Sequence, residues 1–490
     1  MSTATTATTR PDEAPEEVLA PLVSWKAPIG LGILAVVGTV MFGVFSGGKS
    51  AAFGLVDTGR GASAVAAWLA LAVAILAAAW LSYAWFRARR AGHGPAGWIP
   101  PALAAAVVVF VLAVLGVAGV TVITLGARLI GWLSAVVMLA LAGWSAWLAP
   151  RGHKLPRWGV AAFAIAFLVG FLVWIVAGGR DATPYISLAG LLAGAVTLAV
   201  PLVFGSLSGV LCERSGIVNI AIEGQLLMGA FSAAVGATVT GSVYAGLIAA
   251  AVAGALVSLV LAVVSIKYLV NQIIVGVVLN VLVVGLTNFL FSTLLTANPE
   301  GLNKPPHLGS IEIPVLADVP LIGPILFRQS LVGYLMYIAV IVVYVGLFHT
   351  KWGLRVRAVG EHPQAADTLG VNVNRTRFWN TILGGAIAGI GGSFFTLVAV
   401  DAFSKEMSAG RGYIALAALI FGRWNPIGAF LASLLFGFAD NLQSVITIIG
   451  SPLPSQFMAM LPYVVTVFAV AGLVGRSRPP AMEGIPYVKG

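Results

Sequence analysis

Polar side chains inside apolar stretches are the residues of this 490-residue chain most able to do chemistry, because burying them in hydrocarbon is expensive and they mark a path, a relay or a structural pairing. Glu223 lies about six residues into such a stretch, ~9 Å along a helix axis. It is placed either to line a solute path or to pair with a nearby helix end. Asn219, Gln225, Asn280, Asn288, Asp440 and Asn441 offer donors and acceptors to a polar solute, and Phe394 and its neighbours offer ring faces to a planar one. Lipid contact and helix packing are the commoner fates of a membrane phenylalanine. The histidines stand in loops without metal-ligand spacing, and Cys212 is the only cysteine, so no disulfide can form within the chain and no metal site is expected. No nucleophile and base, and no paired carboxylates, recur at useful spacing, so an enzyme is not expected.

Gly43 to Ser50, GVFSGGKS, satisfies the phosphate-loop pattern GxxxxGK[ST]. A phosphate loop needs a strand before it, a helix after it and a soluble sheet around it. This one closes an apolar run, so the match is read as chance.

The elements that must carry these residues are membrane helices. Hydrophobic residues make up 59% of the chain and charged residues 9%, far from a soluble domain. The net charge of +10 comes from cations between apolar runs rather than on one face, which argues for topology signals and against nucleic acid. The class expected is all-α, a polytopic integral membrane protein surrounded by lipid. Spans are predicted at 28–46, 64–86, 99–123, 128–148, 159–177, 186–209, 217–240, 243–264, 271–295, 332–349, 378–400, 411–422, 427–448 and 457–474, fourteen in all. An even count puts both termini on one side. With that side cytosolic, only eight of the 27 Lys and Arg residues fall outside. Residues 1–27 and 476–490 then read as cytosolic tails.

The segment 411–422 is too short to cross ~30 Å of hydrocarbon, so it is tilted, broken or re-entrant and a candidate lining of the path, or one arm of a helical hairpin. Gly205 and Gly209, and the glycines from Gly384 to Gly392, mark close helix packing. The loop 350–376 carries too many charges for lipid. Within it Pro363 can open a short helix and Gly370 close it, with Ala365, Ala366 and Leu369 on one face. This helix suits a groove on a partner, or is one turn in a solvated connector. The outer stretch 296–330 has six prolines among apolar residues, and is either a seat for an extracytoplasmic partner or a lid on the protein itself.

The run PLVFGSLSGVLCERSGIVNIAIEGQLLMG, Pro201 to Gly229, resembles the signature of permease subunits from bacterial ABC importers of branched-chain amino acids, ribose and nucleosides. It is most similar to the nucleoside branch, which depends on a basic membrane lipoprotein. The matching positions are Glu213, Arg214, Ser215, Gly216, Asn219, Glu223 and Gly224. WGLRVRAVGEHPQAADTLGVNV, Trp352 to Val373, resembles the coupling loop of that family, making Gly360, Glu361, Pro363, Ala365, Ala366, Leu369 and Gly370 the residues that dock on an ATPase. The resemblance implies a permease core over 158–475 preceded by accessory membrane helices over 28–150. It also implies a bacterial plasma-membrane location and four partners: an ABC ATPase subunit, a second permease, an extracytoplasmic solute-binding protein and a small-molecule solute. ATP and magnesium would belong to the ATPase, with no cofactor in this chain. A nucleoside is the implied cargo, with a sugar or branched-chain amino acid as alternatives. The rival of another class is an ion-coupled secondary transporter in which Glu223 or Asp440 titrates.

Overall fold

The computed structural model describes residues 25–45, 49–54, 122–153, 155–178, 185–449 except 315, 318, 320 and 321, and then 460 and 478–488. Among these, ten helices are long and apolar enough to cross a membrane, and Arg411–Phe421 is a shorter apolar helix. Each has a counterpart among the expected spans. The spans expected at 64–86, 99–123 and 457–474 fall, but for Val122, Ile123 and Met460, outside the described residues.

The chain divides into two units. In the first, α1 (Lys26–Gly38, continued as a π turn to Val44), α2 (Ala127–Leu148) and α3 (Arg157–Ala177) pack around Phe42, whose fully buried ring meets Phe167 and Phe171 edge-on. Helix precedes and strand Ser50–Gly54 follows the GVFSGGKS run, the reverse of a phosphate loop.

The second unit holds α4 (Leu188–Arg214), α5 (Ile222–Thr240), α6 (Val243–Ala262), α7 (Gln272–Leu290), α8 (Pro299–Leu302), α9 (Ile322–Leu326), α10 (Leu331–His349), α11 (Lys351–Glu361), α12 (Pro363–Thr368), α13 (Val373–Phe394), α14 (Arg411–Phe421) and α15 (Pro426–Ile449). Short strands add little: Ala52–Gly54 pairs parallel with Tyr185–Ser187, and Ser310–Glu312 antiparallel with Arg328–Ser330. The expected span at 217–240 begins instead at Ile222, because Gly216, at φ 94°, ends α4 in the left-handed region and 217–221 forms a turn.

Glycine lets α13 occupy the centre. A side chain at Gly389 would run into the Ala250 carbonyl, one at Gly385 into Ser258, and one at Gly392 into the Leu226 carbonyl, so α5 and α6 approach its backbone directly. Overpacking against backbone cannot be relieved by a rotamer change. Gly389→Ala is therefore expected to destabilise the fold by about 3 kcal/mol, the upper end for overfilled cores. Thermal unfolding of detergent-purified protein checks this. On α4, a Cβ at Gly205 would meet Ala415 at 2.7 Å and one at Gly209 would meet Leu419 at 2.6 Å, so the paired glycines seat the short helix α14.

Candidate functional site

The short helix creates the site. Its 11 residues span ~16 Å, half a bilayer core. Trp424, just beyond its far end, accepts a hydrogen bond at its carbonyl from Arg214 Nε (2.9 Å), level with the end of α4. Its first residue, Arg411, therefore lies near the middle of the bundle, and the chain reaches it through the loop 400–410. That loop holds Asp401, Glu406 and Ala409 at positive φ, conformations that non-glycine residues adopt only when their surroundings enforce them.

Glu223 is one enforcing group. Buried at the start of α5, its carboxylate accepts hydrogen bonds from Ser408 Oγ (2.6 Å), the Gly410 amide (2.8 Å) and the Gly412 amide. It caps the start of α14, where the helix dipole favours a negative charge. Of the two roles open to it from sequence, the structure presents the structural pairing. From the other side, Asn303 exchanges two hydrogen bonds with the Phe403 backbone, His307 Nδ1 lies 2.6 Å from Asp401, and the Leu308 amide donates to the Leu397 carbonyl (2.8 Å). The proline-rich stretch is thus packed on the protein's own surface over 303–308, while Ile311, Leu316 and Leu326 remain exposed.

Behind the loop is a cavity of about 320 Å³, lined among others by Leu198, Phe394, Phe395, Ser404, Met407 and Arg411. Leu198 lies near the middle of α4, and a π turn at Phe395–Ala399 shapes the opposite wall. Arg411 Nη2 donates to Asp440 Oδ2 on α15 at 3.2 Å and stands 5.5 Å over the Phe395 ring. Both members of the pair are half-buried. The cavity therefore joins a mainly apolar wall, to which the nearly buried Phe394 and Phe395 contribute little exposed ring, to one neutralised charge pair, which suits an uncharged solute with an apolar face and hydrogen-bonding groups. A hollow of about 440 Å³ beside Arg128 and Trp132 is mainly apolar and lacks such a convergent set.

Of the path candidates, Phe394 lines this cavity, and Asp440 is joined to it through Arg411. Asn219 and Gln225 are instead closed into a buried network with Ser208 and Ser258, in which Gln225 Nε2 donates to Ser258 Oγ (2.8 Å) and Asn219 Oδ1 (3.0 Å), and Asn219 Nδ2 donates to Ser208 Oγ (3.0 Å). Such a network fixes helices and leaves few bonds for a solute. Asn280 accepts from the Gly224 amide (2.8 Å) and donates to the Ile220 carbonyl (2.9 Å), and Asn441 donates to the Leu191 carbonyl (2.7 Å). Asn288 donates to Glu406 (3.2 Å), away from the cavity lining. Arg411 is not among the path candidates that the sequence singles out. Its pairing with Asp440 was foreshadowed only by opposite charges on the two arms of one hairpin.

At the end of the bundle that carries Arg214, α11 and α12 form a knuckle. Pro363 opens α12, Gly370 follows it at φ 81°, and between them Leu369 is 84% exposed. Glu361, Ala365 and Gly370 are also exposed. Gly360, Pro363 and Ala366 are not: a Cβ at Gly360 would strike the Arg214 carbonyl, and Ala366 packs with Val359, Val373 and Tyr487. Helical spacing set Ala366 beside Ala365 and Leu369, but the chain itself covers that edge. The outward surface is narrower than the sequence implied.

No solved structure matches the chain. The nucleoside ABC transporter permease protein NupC of Lactococcus lactis subsp. cremoris is 38% identical over 308 residues, 61% of this chain and 96% of that protein. The guanosine ABC transporter permease protein NupQ of Bacillus subtilis is 38% identical over 308 residues, 60% of this chain and 94% of that protein. The glucose ABC transporter permease protein TsgB13 of Haloferax volcanii is 29% identical over 271 residues, 49% of this chain and 65% of that protein. A family model described as branched-chain amino acid transport system / permease component matches residues 191–470, from the first turn of α4 to beyond α15 and including the cavity and the knuckle. With that match covering more than half of its length, the chain belongs to this permease family of ABC importers.

Proposed function

We propose that the chain conducts nucleosides into the cell through the cavity between Leu198, Phe394 and Arg411, driven by an ATPase that docks on the exposed face of the 360–370 knuckle. The observation that carries the cargo assignment is the cavity itself: about 320 Å³ with an apolar wall beside a neutralised Arg411–Asp440 pair fits an uncharged molecule with an apolar part and hydroxyl groups, as a nucleoside is. The names of NupC and NupQ support the same cargo. The name of TsgB13 keeps a sugar as the competitor.

As a permease subunit the chain carries no catalytic activity and no cofactor, and an ABC permease works with an ATPase partner. Our reading adds a second permease, a binding protein seated near Ile311 and Leu316, fourteen spans and cytosolic termini. Release into the cell requires only modest affinity, so broad contacts outnumber strong ones. Residues 28–150 serve as accessory helices in this scheme.

The test is uptake of labelled guanosine into cells or vesicles holding the complete transporter. Arg411→Ala is expected to raise the half-saturating concentration about tenfold, the scale of one lost polar contact. Excess glucose is expected not to compete. Competition by glucose with no competition by nucleosides would reverse the cargo assignment.

A further inference from the structure

The segment 478–488, read from sequence as a tail, is built into the knuckle. The Met482 amide donates to the Gly360 carbonyl (3.0 Å) and the Ala481 amide to Glu361 Oε2 (3.2 Å), binding the segment to the end of α11. Two residues on, the Gly484 amide donates to the Gly216 carbonyl (3.2 Å) at the end of α4, and the Ile485 carbonyl accepts from Arg377 Nη1 (2.8 Å) near the start of α13. Tyr487 then enters the apolar cluster of Val359, Ala366 and Val373. The segment thus touches the knuckle, the end of α4 and the start of the central α13.

Three further facts argue that this contact is more than a resting place. Arg377 is buried, and among the described residues its Nε and Nη2 have no hydrogen-bond partner and Ile485 supplies the one hydrogen bond its guanidinium makes. Pro479, Pro480 and Pro486 stiffen the segment, which lowers the entropy lost on seating it and lets it carry load. Glu483 lies against Glu213 and Arg214, and burial pushes its carboxyl above the usual range, which favours the neutral form in that seat.

We propose that residues 478–488 are a positioning clasp that ties the knuckle to the ends of α4 and α13, so that displacement of the knuckle is passed to the helices carrying Leu198 and Phe394. The inference rests on the docking role proposed for the knuckle. The knuckle also meets α4 and α13 directly, at Gly360 against the Arg214 carbonyl and at Ala366 beside Val373, and the clasp adds hydrogen bonds that tie both sides of that seam together. With it, knuckle, α4 and α13 move as one body.

The test uses the complete transporter, with its ATPase, in vesicles, and reads solute imported per ATP hydrolysed. Tyr487→Ser empties the apolar seat, and Met482→Pro removes one donor without touching the cluster. Both are expected to leave ATPase co-purification unchanged and to lower the transport ratio about tenfold, within the usual range of coupling between sites. Tyr487→Phe, which keeps the packing, is expected to retain the ratio. An unchanged ratio in both disruptive variants overturns the clasp. So does loss of ATPase binding in both, because the segment would then serve docking or folding and not transmission. Leu369→Asp run in parallel separates the two ideas: if it leaves ATPase binding intact, the docking role fails whatever the clasp variants do.

Discussion

Leu369→Asp is expected to stop uptake while leaving the protein folded and inserted in the membrane. With 84% of its surface exposed, Leu369 contributes little to its own fold, and surface changes of this kind usually alter stability by about 0.5 kcal/mol or less. Its isolation is what makes it diagnostic. Pro363 and Ala366 hold α12 against the body from below, so the helix should persist and present a carboxylate where a leucine stood. Buried in a partner's groove, that charge should weaken ATPase binding by roughly 30-fold or more, the scale of a hot spot worth about 2 kcal/mol. Co-purification of the ATPase and solute uptake read the two consequences separately. Normal values for both would remove the knuckle from the coupling path. Glu361→Ala is a less clean probe, because Glu361 also accepts the Ala481 amide.

Glu223→Ala is expected to be as damaging by an opposite route, through the fold of the site. Three donors, Ser408 Oγ and the amides of Gly410 and Gly412, lose their acceptor together. Each buried donor left unsatisfied costs roughly 1–3 kcal/mol, so the loop 400–410 and the first turn of α14 should loosen well before the rest of the bundle. Hydrogen exchange should rise across 400–412 and stay low in α5 and α6, and uptake should fall to background. Glu223→Asp, which keeps the charge one methylene back, should recover part of both. Unchanged exchange in this loop, with transport altered only in its pH dependence, would instead assign Glu223 the titrating role of an ion-coupled carrier.

Hydropathy made the long helices legible, because the length needed to span hydrocarbon is a property of the chain alone. It also exposed the short helix, since a run of ten apolar residues between Arg411 and Gly422 cannot cross. What it could not supply was the partner of each polar group. Asn441 is consumed by Leu191, Asn280 by Ile220 and Gly224, and Glu223 by residues almost two hundred positions away, so a list of intramembrane polar residues overstated the path. Arg411 was passed over for the same reason: as a cation beside a short apolar run it resembled a boundary marker, and only the fold brings it to Asp440. Residues 476–490 read only as a cytosolic tail because the partners of 478–488, at Gly216, Gly360 and Arg377, lie in three other parts of the chain. Sequence periodicity placed Ala366 correctly on α12 but could not tell which edge of so short a helix the body would cover.

The energy source is the most direct measure of the whole account. In cells carrying the complete transporter, uptake of labelled guanosine is expected to cease when ATP is depleted and to continue when a protonophore collapses the ion gradients while ATP is maintained. Uptake that survives ATP depletion and vanishes with the gradient would contradict it.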